Sequence, residues 1–267
     1  MKLLQGIKRR LTRHKTLLAL YADKNTIFIY QMGKVGSTTL EQCVPNAVHI
    51  HAFHSKNHTC PVRLKGLAKF GLKHFFYRLE QELLNYLLRR TFKRRKHTKI
   101  ITLVRDPIAR NISMFFHDLD AYLFAAHTNC LNTRKRPLPT REQSMATLKE
   151  VFEQEFDHCY SLTWFDKEFL PMTGINIYQQ PFDIENGVGY SQNNNIELLC
   201  LRSDKLRDNL HELQRFVGAE VILSSTNQAK DKWYGDIYQK FKLDYTPSAK
   251  LQNEIEKSQF YKKFFDL

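Results

Sequence analysis

The stretch Thr26-Ile-Phe-Ile-Tyr30, running straight into Gln31-Met-Gly-Lys-Val-Gly-Ser-Thr-Thr39 and then Leu40-Glu-Gln-Cys-Val44, constrains the fold more than any other part of the chain. A β-branched and aromatic run this short reads as a buried strand, and the glycines break it before a helical pattern begins. Strand, glycine turn and helix in immediate succession form the opening unit of a layered α/β domain. Lys99-Ile-Ile-Thr-Leu-Val104 and Ile196-Glu-Leu-Leu-Cys-Leu201 are two more runs of this kind, each followed by a helical pattern. Val48, Ile50 and Ala52 alternate with His49, His51 and Phe53, which predicts a further strand with its histidines on one face. The expected fold is α/β, a central parallel β-sheet flanked by helices. A basic helical segment, 1–24, precedes a single domain, 25–267.

With 42% hydrophobic residues among 267, the chain can bury a full core, which excludes a disordered linker. Forty-one Lys and Arg against 27 Asp and Glu give a formal charge of +14 and favour an anionic partner, without choosing among nucleic acid, nucleotide, acidic glycan and membrane surface. Five cysteines without a CxxC pair point to a reducing compartment. Charges interrupt the first 21 residues, so a cytoplasmic protein is expected, with Asn57 and Asn111 as incidental sequons. A basic insertion over about 62–97 interleaves Lys65, Lys69, Lys73, Arg78, Arg89, Arg90 and Lys93 to Lys96 with Phe70, Phe75, Phe76 and Tyr77. It reads as a solvated basic helix pair or as a surface for a polyanion or an anionic membrane, the latter giving peripheral association. Glu142 to His158, Ser203 to Val217 and the tail from Lys230 also read as helical.

Two loops carry anion chemistry. Gly33 and Gly36 let the backbone approach an anion, Lys34 supplies countercharge, and Ser37, Thr38 and Thr39 open a helix whose N-terminus favours negative charge. The spacing is not that of a nucleoside-triphosphatase loop, which sets Lys immediately before the hydroxyl residue. The plain alternative is a left-handed glycine turn capping a helix. In Arg105-Asp-Pro-Ile-Ala-Arg-Asn-Ile-Ser113, Asp106 reads as an N-cap and Pro107 as the first helical residue. Arg105 and Ser113 form a candidate phosphate clamp with Arg110 as a third candidate; the alternative is a surface ion pair of Arg105 with Asp106.

Together the two loops resemble the sulfotransferases, whose 5′-phosphosulfate loop is similar to GKVGSTT and whose 3′-phosphate motif is similar to RDPIARNIS. The resemblance implies a nucleotide-phosphate-binding sulfotransferase fold. It also implies 3′-phosphoadenosine-5′-phosphosulfate as donor, with Lys34, Val35, Gly36, Ser37, Thr38 and Thr39 at its sulfated end and Arg105 with Ser113 at its 3′-phosphate. Trp164 to Phe169, Gly174 to Tyr178, Pro181 to Asp183 and Leu198 to Arg202 look like the middle of the carbohydrate-type members. Asp231-Lys-Trp-Tyr-Gly235 is similar to the NKWYS motif of a bacterial family named for capsular polysaccharide synthesis, with Asp231 and Gly235 departing from it. A carbohydrate or glycolipid acceptor is the implied partner.

Sulfuryl transfer needs an acceptor hydroxyl, a base beside it and positive charge at the leaving phosphate, and it requires no metal. His51, near the end of the second strand, is the expected base alongside Lys34 as catalytic cation; His49, His54 and Glu41 are alternatives. His49, His51, His54, His58 and Cys60 are all zinc-ligand types, but their spacing matches no zinc pattern. Trp164, Trp233 and Tyr234 read equally as sugar platforms or core residues, and Asn227, Lys230 and Lys232 as ligand contacts or surface residues. An adenosine-phosphate kinase and a non-catalytic binder of polyanions or membranes are the rival functions; no nucleic-acid-binding motif is present, and nucleic acid is not an expected partner.

Overall fold

Ile27–Tyr30 forms strand β1, buried along its whole length, between the helix α1 (Lys2–Ala22) and the short helix α2 (Ser37–Cys43). The structure, a computed structural model, describes residues 2–53, 72–122, 141–223 and 232–266. Strand β2 (Ala47–Ile50) follows, then α3 (Leu72–Lys93), β3 (Thr98–Val104) and α4 (Pro107–His117). After α5 (Arg141–Glu155) the chain makes a short helix, Tyr160–Trp164, which passes through one π turn, Phe165–Phe169. Strands β4 (Val188–Asn193) and β5 (Ile196–Arg202) complete a sheet of order β2-β1-β3-β5-β4 among the described residues.

β1 pairs in parallel with β2 on one side and β3 on the other, with Ile27 opposite both Ala47 and Lys99. The chain therefore leaves β1 in one direction and comes back past it in the other, which makes the carboxyl ends of β1 and β3 the switch point where α/β sheets gather ligands. β5 extends the parallel array, whereas β4 runs antiparallel beside it. The sheet is thus mixed, not purely parallel. Val-Gly-Tyr-Ser-Gln-Asn has too little apolar content to announce an edge strand; the antiparallel ladder with β5 holds it, and Gly189 leaves room for the Pro181 carbonyl oxygen, 2.6 Å from where a Cβ would lie.

Two apolar clusters flank this frame. One centres on the sheet and on Phe92, Trp164, Phe165, Phe169, Phe260 and Phe264. The other joins α4 and α5 to helix α6 (Gly235–Asp244) through Phe115, Phe116, Phe152, Tyr238 and Phe241. The tail ends in two further helices, Ala249–Lys257 and Gln259–Phe264. The expected helix over 203–217 begins only at Leu210, after one 3-10 turn at Ser203–Lys205.

Arg95 corrects the expectation of a uniformly exposed basic insertion. It is buried, stacks on Phe28 and donates to the carbonyls of Tyr21 and Asp23 at 2.7 and 2.6 Å and of Lys24 and Thr26 at 3.3 Å. Its charge satisfies the end of α1 and the entry to β1 instead of facing a ligand. The insertion's residues 62–71 lie outside the described residues.

Candidate functional site

Where β1 ends, the side chain of the buried Gln31 takes over from the backbone ladder, its Oε1 accepting the Leu103 N–H at 2.9 Å. The chain then turns. Lys34 has φ 71° and Gly36 φ 106°, so both lie in left-handed backbone, where glycine is free of the penalty and lysine costs about 1–2 kcal/mol. Two arginines from the far side of the switch point hold that turn. Arg105 Nη1 donates to the Lys34 carbonyl at 3.0 Å, and Arg110 Nε donates to the Gly33 carbonyl at 3.0 Å. Asp106 caps α4 by accepting the Ala109 N–H at 2.8 Å, with Pro107 in the first turn as its sequence predicts.

Arg110 is fully buried, with its guanidinium over the Tyr160 ring at 4.9 Å and Nη1 donating to Asn111 Oδ1 at 3.0 Å. Burial pulls its pKa down to about 10, so the charge persists at neutral pH. Its Nη2 is buried with no hydrogen-bond partner among the described residues. Lys34 is half-buried, and burial followed by the charges of Arg105, Lys232 and Arg110 pushes its pKa down. Like charges this close are costly unless an anion joins them. Ser113 is half-buried one turn along α4 from Arg110. Val35 is buried in the core. The side chains of Ser37, Thr38 and Thr39 lie outside the described residues.

The histidines stand against the same loop. His49 and His51 share one face, their ring centroids 4.0 Å apart, and β2 ends at Ile50, leaving His51 just beyond it. A Cβ on Gly33 would lie 3.8 Å from His51 Cε1. His51 Nδ1 is 3.3 Å from the Gln31 carbonyl oxygen; the tautomer that donates there keeps the Nε2 lone pair available. Burial lowers the His51 pKa, so its neutral, proton-accepting form prevails at pH 7. Burial and the neighbouring His51 lower His49 further, to about 3. Glu41 Oε2 is 3.8 Å from His49 Nδ1, too far for a hydrogen bond, and Glu41 is exposed. His54, His58 and Cys60 lie outside the described residues, among which no group of three or more His, Cys, Asp or Glu is placed to hold a metal.

Sequence reasoning missed Glu168. It sits fully buried in the π turn and accepts from the Tyr30 hydroxyl at 2.6 Å and from the Phe53 N–H, fastening the β1 end to the segment after His51. The local pattern does not single it out: Asp166, Lys167 and Glu168 are three charged residues in a row, and Glu168 is the one that is buried. Trp164 is buried, donating Nε1–H to the His51 carbonyl at 3.1 Å, and Tyr234 is buried against Phe116. Both are core residues, whereas Trp233 is 70% exposed. Lys232 is exposed, and its charge acts on Lys34; Asn227, Lys230 and Asp231 lie outside the described residues.

Residues 140–266 match the model of a family, NKWYS, described as “Putative capsular polysaccharide synthesis protein”. The matched segment holds Trp164, Glu168, β4, β5 and Lys232; Lys34, His51 and Arg105 fall outside it. No curated protein and no solved structure matches the chain.

Proposed function

We propose that the chain is a sulfotransferase that moves a sulfuryl group from 3′-phosphoadenosine-5′-phosphosulfate to a hydroxyl of a carbohydrate or glycolipid, in the synthesis of a surface polysaccharide. One observation carries the reading: Lys34, Arg105 and Arg110 converge at the β1/β3 switch point, and Arg110 Nη2 has no partner there among the described residues. Such a crowd of cations suits a nucleotide with two separated phosphates. The family match over residues 140–266 supports the polysaccharide context.

In this reading Arg105 and Ser113 hold the 3′-phosphate, and the turn Lys34-Val35-Gly36 with the α2 backbone faces the sulfated end. His51 Nε2 takes the acceptor's proton as the acceptor oxygen bonds sulfur and the sulfur–phosphate oxygen bond breaks; the phosphate keeps that electron pair, stabilised by Lys34. Trp233 offers a face for the sugar.

Thermal unfolding with adenosine 3′,5′-bisphosphate tests the donor site. At about a hundred times Kd the nucleotide should raise Tm by roughly 5–10 °C. Greater stabilisation by ATP with magnesium would move the reading to a kinase, and stabilisation by neither would remove the nucleotide site. Transfer from labelled donor to a glycan panel then identifies the acceptor.

A further inference from the structure

Helix α3 is apolar on two sides. Leu84, Leu88 and Phe92 turn into the core, while Leu79, Leu83 and Tyr86 are 57%, 60% and 52% exposed and recur at helical spacing along another face. Phe76, also exposed, extends the stripe by one turn. A contiguous run of large exposed apolar side chains marks an interaction surface.

What surrounds the stripe is positive. Helix α1 lies beside it, with Arg10 Nη1 and His14 Nε2 at 3.3 and 3.7 Å from Glu80, the residue next to Leu79. That helix carries six Lys or Arg and no acidic residue. Its Lys8, Arg9, Arg13 and Lys15 are exposed, and so is Leu11. At the other end of the stripe, Arg90, Arg94 and Lys96 are exposed; Glu82 is the exposed acidic residue on α3. We propose that the α1/α3 face docks on an anionic lipid bilayer, with Leu79, Leu83 and Tyr86 at the boundary between headgroups and acyl chains and the surrounding cations against lipid phosphates. A soluble polyanion would engage the cations and leave the leucines in water, and an apolar protein groove would leave the cations without counterions; a bilayer of anionic lipid uses both. Among the described residues no helix is long and apolar enough to cross a membrane, and the proposed contact is with the bilayer surface. Docking would also orient the candidate site, because Arg89 Nη1 donates to the Phe53 carbonyl at 3.3 Å, just after His51.

Flotation of the full chain with phosphatidylcholine vesicles, with and without phosphatidylglycerol, tests this independently of any transfer activity. Binding is expected to the anionic vesicles alone and to weaken with salt. Leu79→Ser with Leu83→Ser, which leaves the charge unchanged, should lower partitioning by roughly a hundredfold. Circular dichroism and retention on heparin should stay as in the parent chain. Should that pair lose the parent's circular dichroism, Arg90→Gln with Arg94→Gln takes its place and should cut anionic binding severalfold. Equal binding to neutral vesicles, no binding to either, or unchanged partitioning of the variant that folds would overturn the proposal. A dimer of the parent chain that the serine pair dissolves would assign the face to a second copy and overturn it as well.

Discussion

Arg105 Nη1 donates to the carbonyl oxygen of Lys34 at 3.0 Å, joining two loops that are 71 residues apart in sequence. The bond fastens the exit of β3 to the turn after β1, and it holds Lys34 in left-handed backbone with its amino group among other cations. The position of the Lys34 amino group and the geometry of the turn are therefore coupled.

Lys34→Ala should leave stability unchanged or slightly higher, since it removes a charge that Arg105, Lys232 and Arg110 disfavour. Transfer should fall by about 10²–10³-fold, the scale for losing one group that stabilises a developing anion. Thermal melts together with turnover of labelled donor check this; unchanged turnover would remove Lys34 from the mechanism.

Arg110→Met should cost both stability and ligand response. The Gly33 carbonyl loses its donor and Tyr160 its cation, a loss of about 1–3 kcal/mol in urea unfolding. Adenosine 3′,5′-bisphosphate should then no longer raise Tm. A variant that is destabilised yet still responds fully would make Arg110 a purely structural residue.

His51→Ala should slow the chemical step by about 10²–10⁴-fold with nucleotide affinity nearly unchanged. The backbone carbonyl that accepts from Trp164 survives the substitution, so the packing there should hold. Single-turnover rates and equilibrium binding separate the two effects. Loss of binding without loss of rate would assign the base elsewhere.

Stability should fall in acid through His49. Its pKa is about 3 in the folded chain and about 6.5 unfolded, so the unfolded chain binds the proton first. The contribution is complete above about pH 6.5 and is lost as pH drops toward 3, amounting to a few kcal/mol. His49→Phe, which also removes a buried Nε2 without a hydrogen-bond partner among the described residues, should flatten the slope of unfolding free energy against pH across that window. An unaltered slope would contradict the neutral, buried state of His49.

Arg95→Met should lower stability by about 3 kcal/mol without affecting transfer, because its guanidinium satisfies buried carbonyls between α1 and β1. Denaturant unfolding measures the loss. A variant as stable as the parent would mean that water replaces those bonds.

Local sequence was enough to specify the core strands β1, β3 and β5, the glycine turn after β1 and the capped helix after β3. Each rests on local chemistry: apolar runs of strand length, glycine where φ is positive, and Asp-Pro at a helix start. Pairing His49 with His51 was also local, because alternation along a strand puts both on one face. Tertiary structure decided which charges gather. Arg95 sits in a basic run that reads as solvated, yet it ends up buried among carbonyls, while Arg105 reaches the Lys34 carbonyl at the switch point, since strand order is set by long-range packing. Glu168 and the edge strand β4 were hidden for the same reason: one depends on Tyr30, 138 residues away, and the other on the β5 backbone, and neither partner leaves a mark in the local pattern.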